Sequence, residues 1–114
     1  MVLIDEERFE ALVAEALDGI PDELGARMDN VVVQIRDAAP DRNLLGLYQG
    51  IPLTRRDTYG GLAMPDRITI YRLPICARAR DEAEVVEQVR ITVIHEVAHH
   101  FGIDDDRLDE LGWA

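Results

Sequence analysis

The sequence predicts an α+β fold in which a few short strands lie between two amphipathic helices. Apolar residues recur at helical spacing over residues 5–17 and again in a longer stretch over residues 81–101. The segment between them contains three short, mostly apolar runs: 31–35, 44–49 and 67–73. We therefore expect a single domain over residues 1–114, with a core large enough to need no disulfide.

The first helix is expected from Asp5 to Leu17. The apolar positions that mark its buried face are Phe9, Leu12, Val13, Ala16 and Leu17. Asp5 can cap the start, because a short carboxylate accepts a hydrogen bond from an N–H of the first turn. Gly19 and Pro21 end the helix, and 21–24 can open one more helical turn. We expect the apolar face of this helix to pack on the sheet.

The three strand candidates differ in pattern. Residues 31–35 are nearly continuously apolar, as is typical of a strand covered on both faces. In 67–73, Ile68 and Ile70 alternate with Arg67, Thr69 and Tyr71, which predicts one buried and one exposed face. The run 44–49 is interrupted by a glycine. A long loop, 52–66, precedes the last strand, and loops of that length in compact domains are commonly functional or mobile.

The last third of the chain predicts a long helix from Asp81 to about Phe101. Asp81 and Glu84 have the spacing of a capping box. The apolar stripe consists of Val85, Val86, Val89, Val93 and Val97. Gly102 ends the helix, since glycine readily adopts the left-handed conformation found after helix ends. A short acidic helix over 104–111 is expected to follow.

All three histidines of the chain lie in one hexapeptide at the end of this helix, residues 95–100. His95 and His99 are four residues apart, so their side chains lie on the same helix face, one turn apart. Neutral imidazole is a good zinc ligand, and catalytic zinc usually has three protein ligands and a water. We therefore predict that the pair binds a metal ion. Glu96 lies further round the helix, from where it can act as a general base on the metal-bound water.

The third metal ligand is expected after Gly102. The helix rises 1.5 Å per residue, so positions further along the same face move away from the metal. A left-handed glycine turns the chain back and could bring Asp104, Asp105 or Asp106 to the metal, and the spacing favours Asp105. Asp104 is then expected to cap the next helix and Asp106 to lie in its first turn. His100 points to another face and is expected to be a surface or supporting histidine rather than a ligand.

Composition narrows the possible partners. The formal net charge is −11, from 23 acidic and 12 basic residues, which disfavours a nucleic-acid partner. Cys76 is alone, so the chain forms neither an internal disulfide nor a thiolate metal cluster. Its apolar runs are too short to cross a bilayer, and the N-terminus turns acidic at once, unlike a signal peptide. We expect a cytoplasmic protein with no membrane partner, and the sequence leaves its oligomeric state open.

Residues 95–105 resemble the metzincin-type zincin signature, His-Glu-x-x-His-x-x-Gly-x-x-His/Asp, in the variant whose third ligand is Asp. From about residue 30 onward, the chain resembles the small bacterial zincin-like metallopeptidase family. The segments that carry this wider resemblance are 45–53, 65–71 and 92–102. They are recognisable but, upstream of the histidines, are expected to carry little chemistry.

The resemblance implies a minimal zincin-like fold, with a small mixed sheet of three or four strands beside the N-terminal helix and the long active-site helix. It implies zinc held by His95, His99 and Asp105, and a peptide or protein substrate. In zincins the substrate lies along an edge strand, for which 67–73 is the candidate, and Tyr71 could help to hold an oxyanion. Larger metzincins also place a methionine turn after the third ligand. The methionines here are at positions 1, 28 and 64, all before it.

The leading functional prediction is a zinc-dependent metallopeptidase in which Glu96 is the general base. The alternative is a catalytically weak or inactive zincin-like metal-binding protein with a regulatory or binding role, because the chain lacks the methionine turn and has little sequence to wall a cleft. A third hypothesis is hydrolysis of another substrate such as RNA, which the net charge and Glu96 disfavour. Two histidines and a carboxylate could also hold Fe(II), but that centre needs no adjacent general base, so Glu96 favours zinc.

Overall fold

A computed structural model describes residues 1–28, 30–41, 43–50 and 65–111, without the side chains of Asp105 and Leu111. The described elements are α1 (Glu6–Asp18), α2 (Asp22–Gly25), β1 (Val31–Arg36), β2 (Gly46–Gln49), β3 (Asp66–Tyr71), α3 (Arg72–Arg78), α4 (Glu82–His100) and α5 (Asp105–Leu111). The predicted α+β class and small sheet are confirmed. Most of the long loop predicted over 52–66 lies outside the described residues.

The described strands form one mixed sheet in the order β1-β3-β2. β1 runs parallel to β3, with Val33 opposite Ile68, and β2 runs antiparallel to it, with Gly46 opposite Ile70. β3 is therefore the central strand and has a hydrogen-bonded neighbour on each side. The expectation that 67–73 is an edge strand available to a substrate is wrong.

The burial of the strands corrects two further expectations. Thr69 and Tyr71 of β3 are only 2% and 5% exposed, although the alternation predicted an exposed face for them. β1, expected to be covered on both faces, lies at the edge of the sheet formed by the described strands and leaves Val32 46% exposed. Alternation in the sequence identifies the two faces of a strand, but neighbouring elements decide whether each face is covered.

α4 packs on the sheet face that carries Ile68 and Ile70. α4 contacts β2 and β3 directly. α1 has the predicted extent, and Asp5 caps it by accepting a hydrogen bond from the Arg8 N–H at 2.7 Å. Its apolar face, however, packs mainly against α4, not on the sheet as expected. Together these elements enclose a core that includes Phe9, Leu12, Ile68, Ile70, Ile75, Val85, Val89 and Val93.

α3 was not predicted from the sequence. The sequence interpretation extended the strand to Leu73, but the strand ends at Tyr71 and the chain turns directly into the helix. The alternation breaks at the same point, because Arg72 is in phase with the buried Ile68 and Ile70. Pro74 is compatible with this, because the N–H groups of the first helical turn have no intrahelical partner. The Arg72 guanidinium bonds to the Asp37 carboxylate at 2.9 Å and holds the start of α3 against the end of β1.

Both ends of α4 are defined by caps, as the sequence predicted. At the start, Asp81 accepts a hydrogen bond from the Glu84 N–H at 2.9 Å. At the end, Gly102 has φ 71°, and its N–H donates to the His99 carbonyl at 3.0 Å. The Ile103 N–H donates to the Ala98 carbonyl at 2.9 Å, which completes a Schellman motif. The chain therefore reverses direction immediately after the histidine cluster. Along the described part of the chain, no helix combines the length and apolarity that a membrane span requires.

Candidate functional site

The predicted metal-binding histidines lie close together in the last two turns of α4. The ring centroids of His95 and His99 are 5.9 Å apart, and both residues are partly exposed. Two imidazoles that share one tetrahedral zinc, with Zn–N distances of about 2.0–2.1 Å, have centroids roughly 5 Å apart. The observed separation is slightly larger, and small side-chain rotations would close it. The two residues thus fit a shared metal ion.

The carboxylate of Glu96 lies beside this pair. Its Oε1 is 3.0 Å from Nδ1 of His99, and its side chain is 8% exposed. When Glu96 is ionised it can only accept a hydrogen bond, so this contact favours the tautomer of His99 with the proton on Nδ1 and the lone pair on Nε2. Nε2 is then the nitrogen that would bind a metal. Glu96 therefore already orients one of the predicted ligands.

Gly46 of β2 explains how Glu96 fits between helix and sheet. A Cβ atom at this position would lie 2.7 Å from Cγ2 of Thr92 and 3.1 Å from Cγ of Glu96. Such distances are shorter than ordinary van der Waals contacts, so any side chain would push α4 away from β2. The sequence showed Gly46 only as an interruption of a strand. In the structure its missing side chain allows the helix that carries the histidines to approach the sheet.

The three aspartates after Gly102 occupy the start of α5. Asp104 accepts a hydrogen bond from the Arg107 N–H at 2.9 Å, so its predicted role as the cap is confirmed. Asp105 is the first residue of α5, but its side chain lies outside what the structure describes. Its role as third ligand stays a prediction. Among the side chains that are described, no group of three His, Cys, Asp or Glu residues is arranged to hold a metal.

The sequence did not predict the buried polar cluster below the histidine pair, formed by Tyr48, Asp66 and His100. Nδ1 of His100 is 2.8 Å from Oδ2 of Asp66, and the hydroxyl of Tyr48 donates to the same oxygen. The side chains of His100 and Asp66 are 0% and 3% exposed. His100 does lie on a different face from His95 and His99, as expected. It is buried in the core, so the expectation that it could be a surface residue is wrong.

Two signals in the sequence could have revealed this cluster. Asp66 precedes Ile68 and Ile70 with a period of two, so it belongs to their buried face. His100 follows Val93 by seven residues and Val97 by three, so it belongs to the buried stripe of α4. A buried acid and a buried histidine on facing elements are expected to pair, because an unpaired polar group in the core is costly. The segment around Asp66 therefore carries more chemistry than the sequence suggested.

The structure does not favour Tyr71 as an oxyanion residue. Successive strand residues point to opposite sheet faces, and Ile70 lies on the face toward α4. Tyr71 therefore points to the other face, where it is 5% exposed.

The comparison with family sequence models agrees with the observed fold class. The sequence model of the zincin-like metallopeptidase family matches residues 26–113. The chain belongs to this family, whose members generally bind zinc. A family of this kind suggests hydrolysis of peptide or protein substrates. A search of curated protein sequences found no significant match.

Proposed function

We propose that this protein is a zinc-dependent peptidase, with zinc held by His95, His99 and Asp105 and with Glu96 as the general base. The observation that supports this most directly is the pair of neighbouring imidazoles on α4 beside the buried Glu96 carboxylate. When bound, zinc would polarise the scissile carbonyl and lower the pKa of the attacking water to about 7.

Glu96 has the chemistry needed to move the proton of this reaction. A carboxylate next to the metal site can accept a proton from the attacking water and later deliver it to the leaving amine. Glu96 is 6% exposed, and its side chain lies against β2. Its position is therefore fixed by packing. A fixed base needs little reorganisation during the reaction.

The most suitable place for a peptide substrate is the outer edge of β2. Since β3 is central, an extended peptide cannot add to it, whereas in the described part of the chain β2 pairs only with β3. β2 also carries Gly46, next to Glu96, and Tyr48, whose ring centroid is 6.3 Å from that of His99. A peptide paired with this edge through main-chain hydrogen bonds would run past the histidine pair.

A peptide-cleavage assay tests this proposal, using a peptide library and the variants Glu96→Gln and Glu87→Gln. Glu96→Gln keeps the size of the side chain and a group that accepts from His99, but it removes the base. We expect it to stay folded, bind zinc and lose about 10²–10⁴-fold in kcat. Glu87→Gln is the control, because Glu87 lies on the exposed face of α4 and pairs with Arg90.

Two results would contradict the proposal. Cleavage by Glu96→Gln at the wild-type rate would remove Glu96 from the mechanism. A zinc-loaded wild-type protein that cleaves no peptide would favour the alternative, a metal-binding protein with a regulatory or binding role.

A further inference from the structure

We propose that Tyr48, Asp66 and His100 form a positioning unit, which fixes the last turn of α4 against the sheet and thereby orients His99 and Glu96 for zinc. The inference rests on the proposed function, because the orientation matters for metal binding and hydrolysis. These residues act through His99 and Glu96, so they are positioning residues rather than catalytic ones.

The first argument is connectivity. Asp66 is the first residue of the central strand β3, Tyr48 lies in β2, and His100 is the last residue of α4. Oδ2 of Asp66 accepts hydrogen bonds from both the His100 ring and the Tyr48 hydroxyl. One carboxylate oxygen thus links the end of the helix to two strands, and directional hydrogen bonds fix that distance more sharply than apolar contact would.

The second argument is burial. His100 and Asp66 are 0% and 2% exposed, respectively. A buried carboxylate without hydrogen-bond donors is very unfavourable. The hydrogen bonds from Tyr48 and His100 to Asp66 therefore favour one arrangement of the three side chains. The missing side chain of Gly50 leaves space for the Asp66 carboxylate, because a Cβ atom at Gly50 would lie 2.5 Å from Cγ of Asp66. Gly50 has φ 154°, a conformation that also favours glycine.

The third argument is proximity to the predicted ligands. The Tyr48 ring lies 6.3 Å from the His99 ring and 6.1 Å from the His100 ring, measured between centroids. His99 also precedes His100 in the chain, so any rotation of the last helical turn moves the imidazole of His99. Metal sites tolerate errors of only about 0.2 Å in ligand distances. A loosened last turn would therefore weaken zinc binding before it unfolded the protein.

The same strand provides a matched control. Thr69 lies three residues after Asp66, is 2% exposed, and its hydroxyl accepts a hydrogen bond from the Gln34 side-chain amide at 2.9 Å. Thr69 pairs with Gln34 on the sheet face turned away from α4. Thr69→Val deletes one buried hydrogen bond in β3 but leaves the end of α4 untouched.

The test measures zinc affinity by chelator competition for Asp66→Ala, Asp66→Asn and Thr69→Val, each at a temperature where the variant is folded. We expect Asp66→Ala to lose about 10–100-fold in affinity, as for other partners that orient metal ligands. Asp66→Asn keeps an oxygen that accepts from both donors and should recover most of the loss. Thr69→Val should bind zinc as the wild type does.

A second readout needs no metal. In the zinc-free protein, the N–H groups of Phe101, Gly102 and Ile103 close the C-terminal turn of α4. We expect Asp66→Ala to speed hydrogen exchange at these amides, whereas Thr69→Val should not. Tyr48→Phe, which keeps the ring and loses one hydrogen bond, should give a smaller change than Asp66→Ala.

Two results would overturn the positioning role. One is a folded Asp66→Ala protein with wild-type zinc affinity and exchange. The other is an equal loss of affinity in Thr69→Val at matched stability, which would show a merely structural effect. A wild type that binds zinc but cleaves no peptide would overturn only the proposed peptidase function, since affinity and exchange still test the positioning role. A wild type that binds no zinc would overturn both proposals.

Discussion

The two ends of α4 are held in place by different kinds of interaction. At the start, the polar contacts are exposed: Asp81 caps the helix, Arg80 pairs with Glu84 at 2.7 Å, and Arg8 of α1 pairs with Glu82 at 3.1 Å. At the end, the contacts are buried, with His100 tied to Asp66 in the core. The polar contacts of α4 are therefore solvent-exposed at its start and buried at its end.

Exposed and buried polar contacts act differently on the stability of the protein and on the position of the helix. Exposed ion pairs contribute little, are screened by salt and tolerate movement of long side chains. A buried and satisfied polar network permits few alternative arrangements, so it fixes the backbone more sharply. The buried network lies at the end of α4 that carries His95 and His99. Changes at this end should affect the site, whereas changes at the start should affect only stability.

Of the changes that compare the two ends of α4, Gly46→Ala at the buried end is expected to have the larger effect. The added methyl group would lie 2.7 Å from Thr92 and 3.1 Å from Glu96, so α4 has to shift away from β2. Such overpacking typically costs about 1–3 kcal/mol of unfolding free energy. Because Glu96 moves with the helix, we also expect kcat/KM for peptide cleavage to fall by more than about tenfold.

Gly25→Ala is the control for this change, because a Cβ atom at Gly25 would meet nothing within 4 Å. Chemical denaturation and peptide cleavage should show it to be neutral or slightly stabilising. Wild-type activity in Gly46→Ala would show that the close approach of α4 to β2 is not needed at the site.

The extent to which the sequence predicts the structure depends on whether the determining contacts are local. The caps of α1 and α4 and the left-handed Gly102 were predicted correctly, because each involves residues within a few positions of one another. The central place of β3 was not, because strand order depends on pairing with segments far away in the chain. The prediction that the strand runs to Leu73 was wrong, although the alternation breaks at Arg72, which is in phase with Ile68 and Ile70.

In the candidate site, too, local contacts were predicted from the sequence and long-range contacts were not. The spacing of His95, Glu96 and His99 is local and predicted their proximity directly. The pairing of His100 with Asp66 joins residues 34 positions apart, so the sequence left His100 as a surface or supporting residue. The role of Gly46 depends on how closely two elements approach each other, and only the assembled fold shows this.

The smallest effect is expected at the exposed start of α4, for Glu84→Gln. The Arg80 backbone N–H and guanidinium bond to the Glu84 carboxylate and lower the pKa of Glu84 below its ordinary value. A carboxyl group with a lowered pKa stabilises the folded state above its unfolded-state pKa, and this stabilisation is lost as the pH falls through the folded-state pKa. The wild type should be slightly more stable than Glu84→Gln at pH 7, and the difference should vanish in acid.

Thermal unfolding of both proteins between pH 7 and pH 3, at low and high salt, measures this difference. Zinc affinity should be the same for the two proteins, because Glu84 is at the opposite end of α4 from the histidine pair. A marked loss of zinc affinity in Glu84→Gln would contradict the separation of the two ends.

The most direct test of the account is the stoichiometry and affinity of zinc binding by the wild type, Asp105→Ala and Asp106→Ala. We predict one zinc ion per wild-type chain, held by His95, His99 and Asp105. Asp106 is an exposed residue in the first turn of α5, so Asp106→Ala should bind zinc normally. Asp105→Ala should lose more than about 100-fold in affinity, since deleting a ligand costs more than deleting a supporting residue. Wild-type zinc affinity in Asp105→Ala, or a wild type that binds no zinc, would contradict the account.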